Sequence, residues 1–578
     1  MRQSLKVNSE IMNSLNKIIK IISFVIIPVG ILLFFNQLDL QGSDFKQAIV
    51  STVAALIGMI PEGLVLLTST VLAVSVTRLA KKKVLVQELY CIETLARVDV
   101  LCLDKTGTIT EGKMSVDKII PANNYTEKDV QEILEILGTY SEDKNSTIEA
   151  IRAKFKTNKK LTVKESMPFK SSNKWSGISL EDATYILGAP EVISKNKQEV
   201  EKYISEYRVV AIGKSTERLN NKLPEKIEII GYVLISDIIR KNSKEILSYF
   251  EKQGVEIKLI SGDNPITVSN IAKKAGVKDY TNYIDARTLK TDEEIREAAI
   301  KYTIFGRVTP EQKKQIILAL KEKKHTVAMT GDGVNDVSAL KNADCSITVA
   351  NGSDAARNVS QLVLLDSDFK SMPNIVDEGR RTINNIQRSA TLFLVKTIYA
   401  TILAILFVFV NMPYPFIPIQ LTLINLVVTG IPSVILALEP NKDRIKGKFI
   451  INIIKRALPT ALTVVTNIII IGIISKIYNI DETNYSSVCV VVTAITGFIL
   501  LFKISRPFNL SRAILFIGVI TIFVVGITLF KGIFSISLDL SNIIPIIILG
   551  IASIFVGIIY NVISNKIFKK VEKRIAND

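Results

Sequence analysis

The chain of 578 residues has few cysteines, and nothing in their spacing makes them ligands or cross-links. The four cysteines, at positions 91, 102, 345 and 489, are scattered without a C-x-x-C spacing. This excludes the usual signs of a disulfide framework and of a structural zinc site. The N-terminal stretch is polar and lacks a small-residue cleavage site, so we expect no secretory signal there. Internal repeats and low-complexity tracts are also missing, which argues against a solenoid.

The charge balance is strongly basic, and the composition mixes very apolar segments with ordinary soluble ones. The formal net charge is +17, with 48% hydrophobic and 22% charged residues. Such a basic excess can accompany nucleic-acid binding, but no RNA- or DNA-binding signature is present, so we expect no nucleic-acid partner. In a membrane protein the same excess arises because Lys and Arg are retained in cytoplasmic loops. The length leaves room for several domains, since one domain takes roughly 100–200 residues.

Apolar runs long enough to cross a bilayer fall into two groups, because a helix of about 20 residues spans the hydrocarbon core. The eight runs cover residues 19–35, 48–80, 392–410, 416–438, 457–474, 487–502, 513–530 and 543–563. For 487–502 a re-entrant or buried helix stays an open alternative. Basic residues beside the runs predict that both termini and the long segment between the groups are cytoplasmic. We therefore expect a multi-pass protein of the cell membrane, embedded in the lipid bilayer.

The long charged segment between the two groups alternates short apolar strands with helical patterns. Predicted strands at 98–104, 257–260 and 326–330 are each followed by a helix-like stretch. This pattern indicates a parallel α/β sheet, whose ligands bind at the carboxyl ends of the strands. Residues 112–231 differ, with polar helices and a strand-rich part around 185–188. We interpret this stretch as a second domain inserted into the first.

The most specific signal is the run DKTGTIT at 104–110, placed where an apolar strand meets a turn. A carboxylate there can attack a phosphoryl group and form an aspartyl phosphate, provided that a metal and cations offset the charge. The run resembles the phosphorylation motif of the P-type ATPases. The resemblance implies that Asp104 is phosphorylated by ATP and that Lys105 and Thr106 belong to the same site. ATP and Mg²⁺ are the implied cofactors.

Three downstream runs resemble the other loops of that family's phosphorylation domain, the first with serine in place of the usual threonine. The matching residues are Ser261, Gly262 and Asp263 in the first run, Lys313 in the second, and Asp332, Asn335 and Asp336 in the third. Asp104 and Asp332 offer the carboxylate oxygens that Mg²⁺ prefers. The resemblance adds the main-chain carbonyl of Thr106 to the metal ligands and makes Lys313 the lysine that contacts the phosphoryl group.

The inserted domain is expected to present the nucleotide. By resemblance, the nucleotide contacts are Phe169, Lys174, Gly188, Asp237 and Arg240, together with Ser261, Gly262 and Asp263. An aromatic ring at Phe169 suits stacking on adenine, although an ordinary core phenylalanine is an open alternative. Leu187 replaces the lysine of the family's K-G-A-P-E motif, and the hinge run DIIR lacks the usual prolines. For Asp237 a plain loop carboxylate also stays open.

Within the second apolar run, Pro61 stands beside Glu62 between two glycines. Proline removes a helix hydrogen bond, and a carboxylate at membrane depth is costly enough to suggest a function. By resemblance, this turn is the family's ion-binding turn, and the expected cation ligands are Glu62, the carbonyls of Ile57, Gly58 and Ile60, and, from a later helix, Asn425 and Thr429. A lipid-facing kink is the alternative.

The expected cargo is a hard cation, with Ca²⁺ favoured. No C-P-C motif is present, which argues against copper or zinc pumps because these metals favour thiolates. Thr429 replaces the family's usual aspartate, and this reduced charge suggests one cation per cycle. Lys396 lies on the preceding apolar run, where it could be an internal counter-charge, or snorkel or pair without a role in transport.

The resemblance covers essentially the whole chain and is closest to the bacterial cation-transporting ATPase E-like pumps. It implies a helical transmembrane bundle, a haloacid dehalogenase-like, Rossmann-type phosphorylation domain and an inserted α+β nucleotide-binding domain. Residues 1–80 would form a stalk and family helices 3 and 4, and 371–578 a stalk and family helices 5 to 10. The phosphorylation domain would take residues 81–115 and 236–370, and the nucleotide-binding domain 116–235.

The family also carries two further membrane helices and an actuator domain whose T-G-E-S loop directs water at the phosphoaspartate. No T-G-E run occurs in this sequence. We therefore expect phosphorylation of Asp104 with slow turnover by this chain alone, and a separate actuator chain as a partner. The predicted function is ATP-driven cation transport. A membrane-anchored dehalogenase-type phosphatase and a non-transporting remnant stay open, although such phosphatases commonly place a second Asp where Thr106 stands.

Overall fold

In a computed structural model of the chain, the described residues are 9–40, 44–170, 172–194, 198–204, 206–220, 222–366, 369–445, 447–537 and 540–577. They divide into two units. One unit combines Met1–Leu79 with Ile375–Asp578, and the other is Ala80–Asn374.

The first unit begins with three helices, α1 (Glu10–Leu40), α2 (Phe45–Met59) and α3 (Leu64–Lys81). The side chain of Asp44 caps α2 by accepting the backbone N–H of Lys46 at 3.0 Å. Helix α2 stops where proline follows, because a residue before proline is disfavoured in the helical region. Ile60 accordingly has an extended backbone, with φ −85° and ψ 125°.

The second unit contains every strand of the described chain and eleven helices. Its first half comprises β1 (Val84–Val86), α4 (Cys91–Arg97), β2 (Val100–Leu103), β3 (Thr110–Pro121), α5 (Glu127–Tyr140), α6 (Ser146–Lys154), β4 (Glu165–Met167), β5 (Trp175–Ser179), β6 (Thr184–Gly188), α7 (Pro190–Ile193), α8 (Gln198–Ile204), β7 (Arg208–Ser215) and β8 (Glu228–Ile239). Its second half comprises α9 (Ser243–Lys252), β9 (Glu256–Ile260), α10 (Pro265–Ala275), β10 (Tyr283–Asp285), α11 (Asp292–Lys301), β11 (Ile304–Gly306), α12 (Pro310–Glu322), β12 (Val327–Thr330), α13 (Val337–Asn342), β13 (Cys345–Val349), α14 (Asp354–Val359) and β14 (Leu362–Leu364).

An eight-stranded sheet has the order β1-β14-β13-β12-β2-β9-β11-β10. All its pairs are parallel except β1 with β14, so the predicted parallel α/β sheet is confirmed. Strand β2 is fully buried, and Leu103 lies opposite Thr330 on one side and Leu259 on the other. Because parallel strands end at the same edge, the loops after β2, β9 and β12 come together there.

A six-stranded antiparallel sheet, β3-β8-β7-β6-β5-β4, is inserted between β2 and α9. Strands β3 and β8 pair at one side of this sheet, with Thr110 opposite Ile239 at one end of the pair and Pro121 opposite Gly231 at the other. The sheet therefore extends beyond the predicted range 116–235 at both ends, because these two long strands pair back to the loop after β2. Helices α5 and α6 supply apolar side chains to the core that covers one face.

The first unit continues with seven more helices. These are α15 (Met372–Phe409), α16 (Pro418–Ile424), α17 (Ile431–Ala437), α18 (Phe449–Tyr478), α19 (Glu482–Ile504), α20 (Leu510–Thr528) and α21 (Leu540–Asn577). A π-helical turn, Asn425–Gly430, joins α16 to α17. Eight helical segments of the described chain are long and apolar enough to cross a membrane, which confirms the eight predicted spans. Residues 487–502 lie inside α19, a continuous helix of 23 residues, so a short re-entrant helix is not formed.

Candidate phosphorylation and cation sites

Asp104 lies immediately after β2, at the carboxyl edge of the parallel sheet. Its backbone N–H donates to the carbonyl of Thr330 at 3.1 Å, and its Oδ2 accepts the N–H of Thr106 at 3.1 Å. The chain then makes a π-helical turn, Lys105–Ile109, in which Gly107 has φ +70°. A Cβ atom on Gly107 would lie 2.0 Å from Oδ2 of Asp332, so only glycine fits between this turn and the acidic loop.

Lys313 reaches Asp104 from the first turns of α12. Its Nζ lies 2.6 Å from Oδ1 of Asp104 and 2.6 Å from Oδ1 of Asp336. Burial lowers the pKa of Lys313, but the two carboxylates outweigh burial and raise the pKa above its ordinary value. Lys313 is thus a permanent cation at the predicted nucleophile, where it can offset the charge of a phosphoryl group.

Three carboxylates gather at this edge, with ligand atoms of Asp104, Asp332 and Asp336 all within 4.8 Å of one another. Burial, together with the charge of Asp336, raises the pKa of Asp104 to about 6 against the opposing charge of Lys313. Burial and the neighbouring Asp336 likewise raise the pKa of Asp332. Crowded carboxylates in a buried place favour a hard divalent cation, so the residues fit the implied Mg²⁺.

The sequence did not assign Asp336 to the metal. In the structure both of its oxygens are already engaged, Oδ1 by Lys313 and Oδ2 by the N–H of Gly333 at 3.1 Å. The oxygens of Asp104 are engaged in the same way, by Lys313 and by the N–H of Thr106, so these hydrogen bonds do not rank Asp104 above Asp336 as a metal ligand. The side chains of Asn335 and Thr106 are both exposed. Their predicted roles stay predictions.

The predicted hinge residues hold the turn that follows Asp104. Arg240 donates from Nη2 to the carbonyl of Gly107 at 2.9 Å, and from its backbone N–H to the carbonyl of Ile109 at 3.0 Å. Lys105 places its Nζ 2.9 Å from Oδ2 of Asp237 and 2.5 Å from Oδ2 of Asp263. Asp237 is therefore not a plain loop carboxylate, because it lies on strand β8 and pairs with the buried Lys105 of the turn after Asp104, which also pairs with the half-exposed Asp263.

A cleft of about 390 Å³ opens beside this ionic bridge. Lys105, Thr106, Asp237 and Asp263 line it. The cleft is also lined by four residues that belong to none of the motifs, namely Tyr207, Arg208, Asn270 and Lys274. The ammonium of Lys274 lies 5.6 Å from the centre of the Tyr207 ring. No motif marked these four residues, since they meet only when β7 and α10 are brought together. Ser261 and Gly262 belong to the same loop as Asp263 but are not among the described lining residues.

The other predicted nucleotide residues lie on the six-stranded sheet and its loops. The side chain of Phe169 is 42% exposed, and its backbone N–H donates to Oδ1 of buried Asp143 at 2.7 Å. Phe169 is thus not a core residue, and its stacking on adenine stays a prediction. Lys174 has φ +60°, and its Nζ lies 3.2 Å from Oε1 of Glu191.

Packing between two strands already explains why position 188 is a glycine. A Cβ atom there would lie 2.7 Å from Cβ of Trp175 and 2.9 Å from the carbonyl of Lys174. Glycine is therefore required for β6 to approach β5, whether or not a nucleotide binds nearby.

In the first unit, α2 and α3 are interrupted at the predicted cation turn. Ile60 donates to the carbonyl of Ile57 at 3.4 Å, and Glu62 donates to the carbonyl of Ile60 at 3.0 Å. A Cβ on Gly58 would lie 2.8 Å from Cβ of Ala400, and one on Gly63 would lie 2.7 Å from the ring of Phe393. The two glycines thus let the broken helix pack closely against α15.

A cavity of about 670 Å³ lies beside this turn, with mainly apolar walls. Its polar lining includes Glu62, Lys396, Asn425 and Thr429. The Nζ of Lys396 lies 3.8 Å from Oε1 of Glu62. The structure therefore brings together the predicted carboxylate and two predicted neutral ligands, and it adds a buried cation to them. The side chain of Glu62 lines this cavity and is 55% exposed, so the cation site and the lipid-facing kink both stay predictions.

A parallel sheet with a carboxylate directly after its central strand, a lysine beside that carboxylate and acidic loops at the same edge fits the haloacid dehalogenase type of phosphoryl-transfer domain. A family model described as haloacid dehalogenase-like hydrolase matches residues 98–344. The chain is 42% identical over 526 residues to the probable cation-transporting ATPase exp7 of Streptococcus pneumoniae, and 37% identical over 531 residues to the calcium-transporting ATPase CtpE of Mycolicibacterium smegmatis. It is 28% identical over 519 residues to calcium-transporting ATPase 1 of Saccharomyces cerevisiae.

This chain belongs to the P-type cation-transporting ATPases, as the phosphorylation motif predicted. The match to exp7 covers 88% of this chain and 68% of the relative, and the match to CtpE covers 88% of this chain and 66% of the relative. The match to the yeast protein covers 76% of this chain and 54% of the relative. The eight membrane-capable helices and the relatives together identify a multi-pass membrane protein with a cytoplasmic catalytic unit. Membership of the family implies ATP use and dependence on Mg²⁺ in general terms.

Proposed function

We propose that this chain carries the phosphorylation step and the cation site of an ATP-driven pump, with Ca²⁺ as the favoured cargo. The observation that carries the proposal is the position of Lys313, which pairs with Asp104 at the edge of the sheet. The choice of Ca²⁺ rests on the names of two relatives and on the carboxylate, amide and hydroxyl oxygens that Glu62, Asn425 and Thr429 offer at one cavity.

In the proposed reaction, the carboxylate of Asp104 attacks the γ-phosphorus of ATP, and the bond to the bridging oxygen breaks to release ADP. Lys313 offsets the negative charge on the transferred group. Asp332 and Asp104, with the carbonyl of Thr106, would hold Mg²⁺, which neutralises phosphate charge when bound. The ionic bridge from Lys105 to Asp237 and Asp263 keeps the turn after the nucleophile in place.

The pump explains more of the molecule than a membrane-anchored phosphatase does. A phosphatase of this type commonly uses a second carboxylate two residues after the nucleophile, where Thr106 stands. It would also leave Glu62 and Lys396 without a role, although a carboxylate within a membrane span is costly. A non-transporting remnant would likewise give Glu62 and Lys396 no role within the membrane.

The test is covalent labelling of the full chain in detergent with radiolabelled ATP, Mg²⁺ and varied Ca²⁺. We expect a hydroxylamine-sensitive label that increases with Ca²⁺, that disappears in Asp104→Asn and that loses its Ca²⁺ response in Glu62→Gln. Glu311→Gln is the matched control, since it removes an exposed carboxylate from the helix that carries Lys313. Label that survives in Asp104→Asn would contradict the phosphorylation site. A Ca²⁺ response that survives in Glu62→Gln would contradict the cation site.

A further inference from the structure

Helix α21, the last helix of the described chain, contacts α18 through one side. Nδ2 of Asn467 on α18 donates to Oγ of Ser553 at 2.8 Å, and Oγ of Ser564 donates to the carbonyl of Lys455 at 3.2 Å. Further along, Nζ of Lys455 lies 3.2 Å from Oε1 of Glu572. These contacts recur within one stripe of the helix, so they fix which side of α21 faces the protein.

The opposite side of α21 is apolar and exposed. Large apolar side chains recur there at intervals of three or four residues, each between 49% and 66% exposed. They are Ile544, Ile548, Ile551, Phe555, Ile559 and Val562. Only 11% of the apolar stretch of this span is buried, the smallest share among the eight candidate spans of the described chain. In a multi-pass membrane protein such a stripe contacts the acyl chains of the lipids.

Four lysines continue this stripe beyond the apolar stretch. We term them the lysine face, and they are Lys566, Lys569, Lys570 and Lys573. Their spacing places them on one side of the helix, and Lys566 follows Val562 by one helical turn, so that side is the lipid-facing one. All four are exposed. Among the described residues, the ion pair at this end of α21 joins Glu572 to Lys455, and none of the four lysines takes part in it.

This end of α21 lies on the cytoplasmic side of the membrane. Six candidate spans of the described chain follow the cytoplasmic catalytic unit, and α21 forms the sixth. Each span reverses the direction of crossing, so an even number of spans returns the chain to the side of the catalytic unit. The tendency of basic residues to stay in the cytoplasm explains why lysines occur here, but it does not require them to share the lipid-facing side.

We propose that the lysine face binds the phosphate groups of anionic phospholipids in the cytoplasmic leaflet. The four lysines cover about 10 Å along the helix axis, starting where the apolar stripe ends. Each ammonium is a compact charge with three donors on a flexible stem, which suits a phosphate group whose depth varies. Clusters of four to eight basic residues at this position beside a membrane helix attract anionic headgroups.

The continuity of the two surfaces favours a lipid over a soluble anion. A phospholipid contacts both surfaces at once, because its acyl chains cover Phe555, Ile559 and Val562 while its phosphate meets the ammonium groups. Glu572 is the one acidic residue between positions 564 and 574. It pairs with Lys455 on α18, so its charge is offset and does not repel the phosphate. The inference rests on the membrane location of α21 and is independent of the proposed function.

Native mass spectrometry of the full chain in detergent tests this site, with phosphatidylglycerol and phosphatidylcholine of equal chain length as probes. We expect the first phosphatidylglycerol to bind about fivefold or more tighter than the first phosphatidylcholine, since one basic residue near a membrane surface contributes on this scale. Changing the lysine face to glutamine should abolish the difference. This variant combines Lys566→Gln, Lys569→Gln, Lys570→Gln and Lys573→Gln. Higher ionic strength should also reduce the difference, because the attraction is electrostatic.

Two further variants separate a site from a general effect of charge. Arginine at the same four positions keeps the charge and should keep the preference for phosphatidylglycerol. The matched control changes four exposed lysines of the catalytic unit to glutamine, which lowers the net charge by the same amount. These lysines are Lys113, Lys118, Lys128 and Lys156. The control variant should bind phosphatidylglycerol as the unmodified chain does.

Equal binding of the two lipids by the unmodified chain would overturn the proposal, and so would a preference that survives in the glutamine variant of the lysine face. An equal loss in the control variant would reveal an effect of net charge and would overturn it too. If glycerol phosphate at the concentration of the lipid displaces phosphatidylglycerol, the lysine face binds a free phosphate group and the lipid assignment is wrong. None of these outcomes depends on phosphorylation or on Ca²⁺ binding.

Discussion

The ammonium of Lys313 lies 2.6 Å from Oδ1 of Asp104, although the two residues are 209 positions apart in the chain. The contact exists because Asp104 directly follows the central strand β2, while α12 begins at the same edge of the sheet. The same ammonium holds Asp336, so one lysine connects the predicted nucleophile to the acidic loop.

Replacing Lys313 with methionine should slow phosphorylation of Asp104 by about a hundredfold or more, the usual cost of removing one charge-stabilising donor. The apolar part of the side chain is kept, so packing should change little. The measurement is the rate of label transfer from ATP under single-turnover conditions. Lys314→Met is the control, since Lys314 pairs only with Glu311 among the described residues. Equal rates in the two variants would contradict the assigned role.

Mg²⁺ affinity should fall as the pH is lowered through 6. Burial raises the pKa of Asp104 to about 6, so the carboxyl takes up a proton at a pH where ordinary aspartate is ionised. Mg²⁺ binds the carboxylate and must displace that proton, which predicts about a tenfold weaker affinity at pH 5 than at pH 7. Titration calorimetry on the full chain measures this. The affinity of Asp104→Asn should be weaker and should depend less on pH, whereas an identical pH profile would contradict the assignment.

Gly107→Ala should abolish tight Mg²⁺ binding and destabilise the loop after β2. The new Cβ would lie 2.0 Å from Oδ2 of Asp332, and the backbone at φ +70° is itself unfavourable for alanine. Gly112→Ala is a matched control, because Gly112 has φ +71° and no atom within 4 Å of the added Cβ.

The control variant measures the backbone cost alone, about 1 kcal/mol, whereas Gly107→Ala adds the collision. Hydrogen exchange of the peptide around 100–112 and Mg²⁺ titration report the two effects. If the two variants bind Mg²⁺ equally well, the close approach of Gly107 to Asp332 does not shape the metal site.

Phe169→Ala should weaken nucleotide binding by about tenfold or more, since loss of aromatic stacking on a base costs roughly 1–3 kcal/mol. Stability should hardly change, because the side chain is 42% exposed. Tyr283→Ala removes an aromatic side chain of similar exposure, 40%, from the edge of the other sheet and serves as control. Nucleotide affinity is measured by displacement of a fluorescent ATP analogue. Equal affinities for the two variants would remove Phe169 from the nucleotide site.

The class of protein and the phosphorylation loops could be predicted because their signals are local. A nucleophile at the end of a buried strand, a glycine-bearing turn and an apolar run of membrane-spanning length are each set by consecutive residues and their periodicity. Asp104, the break before Glu62 and the eight spans were recognised in this way. The limits of the inserted sheet were harder to predict from the sequence, because β3 and β8 continue to pair beyond the residues at which the composition changes.

What the sequence by itself determined is therefore the set of chemical groups at Asp104 and Glu62 and the elements that carry them. Only the tertiary structure decided which distant side chains meet those groups. It engaged Asp336 with Lys313, brought Arg208 and Lys274 to one cleft, and placed Lys396 beside Glu62. These contacts depend on packing between elements far apart in the chain, which no local spacing encodes.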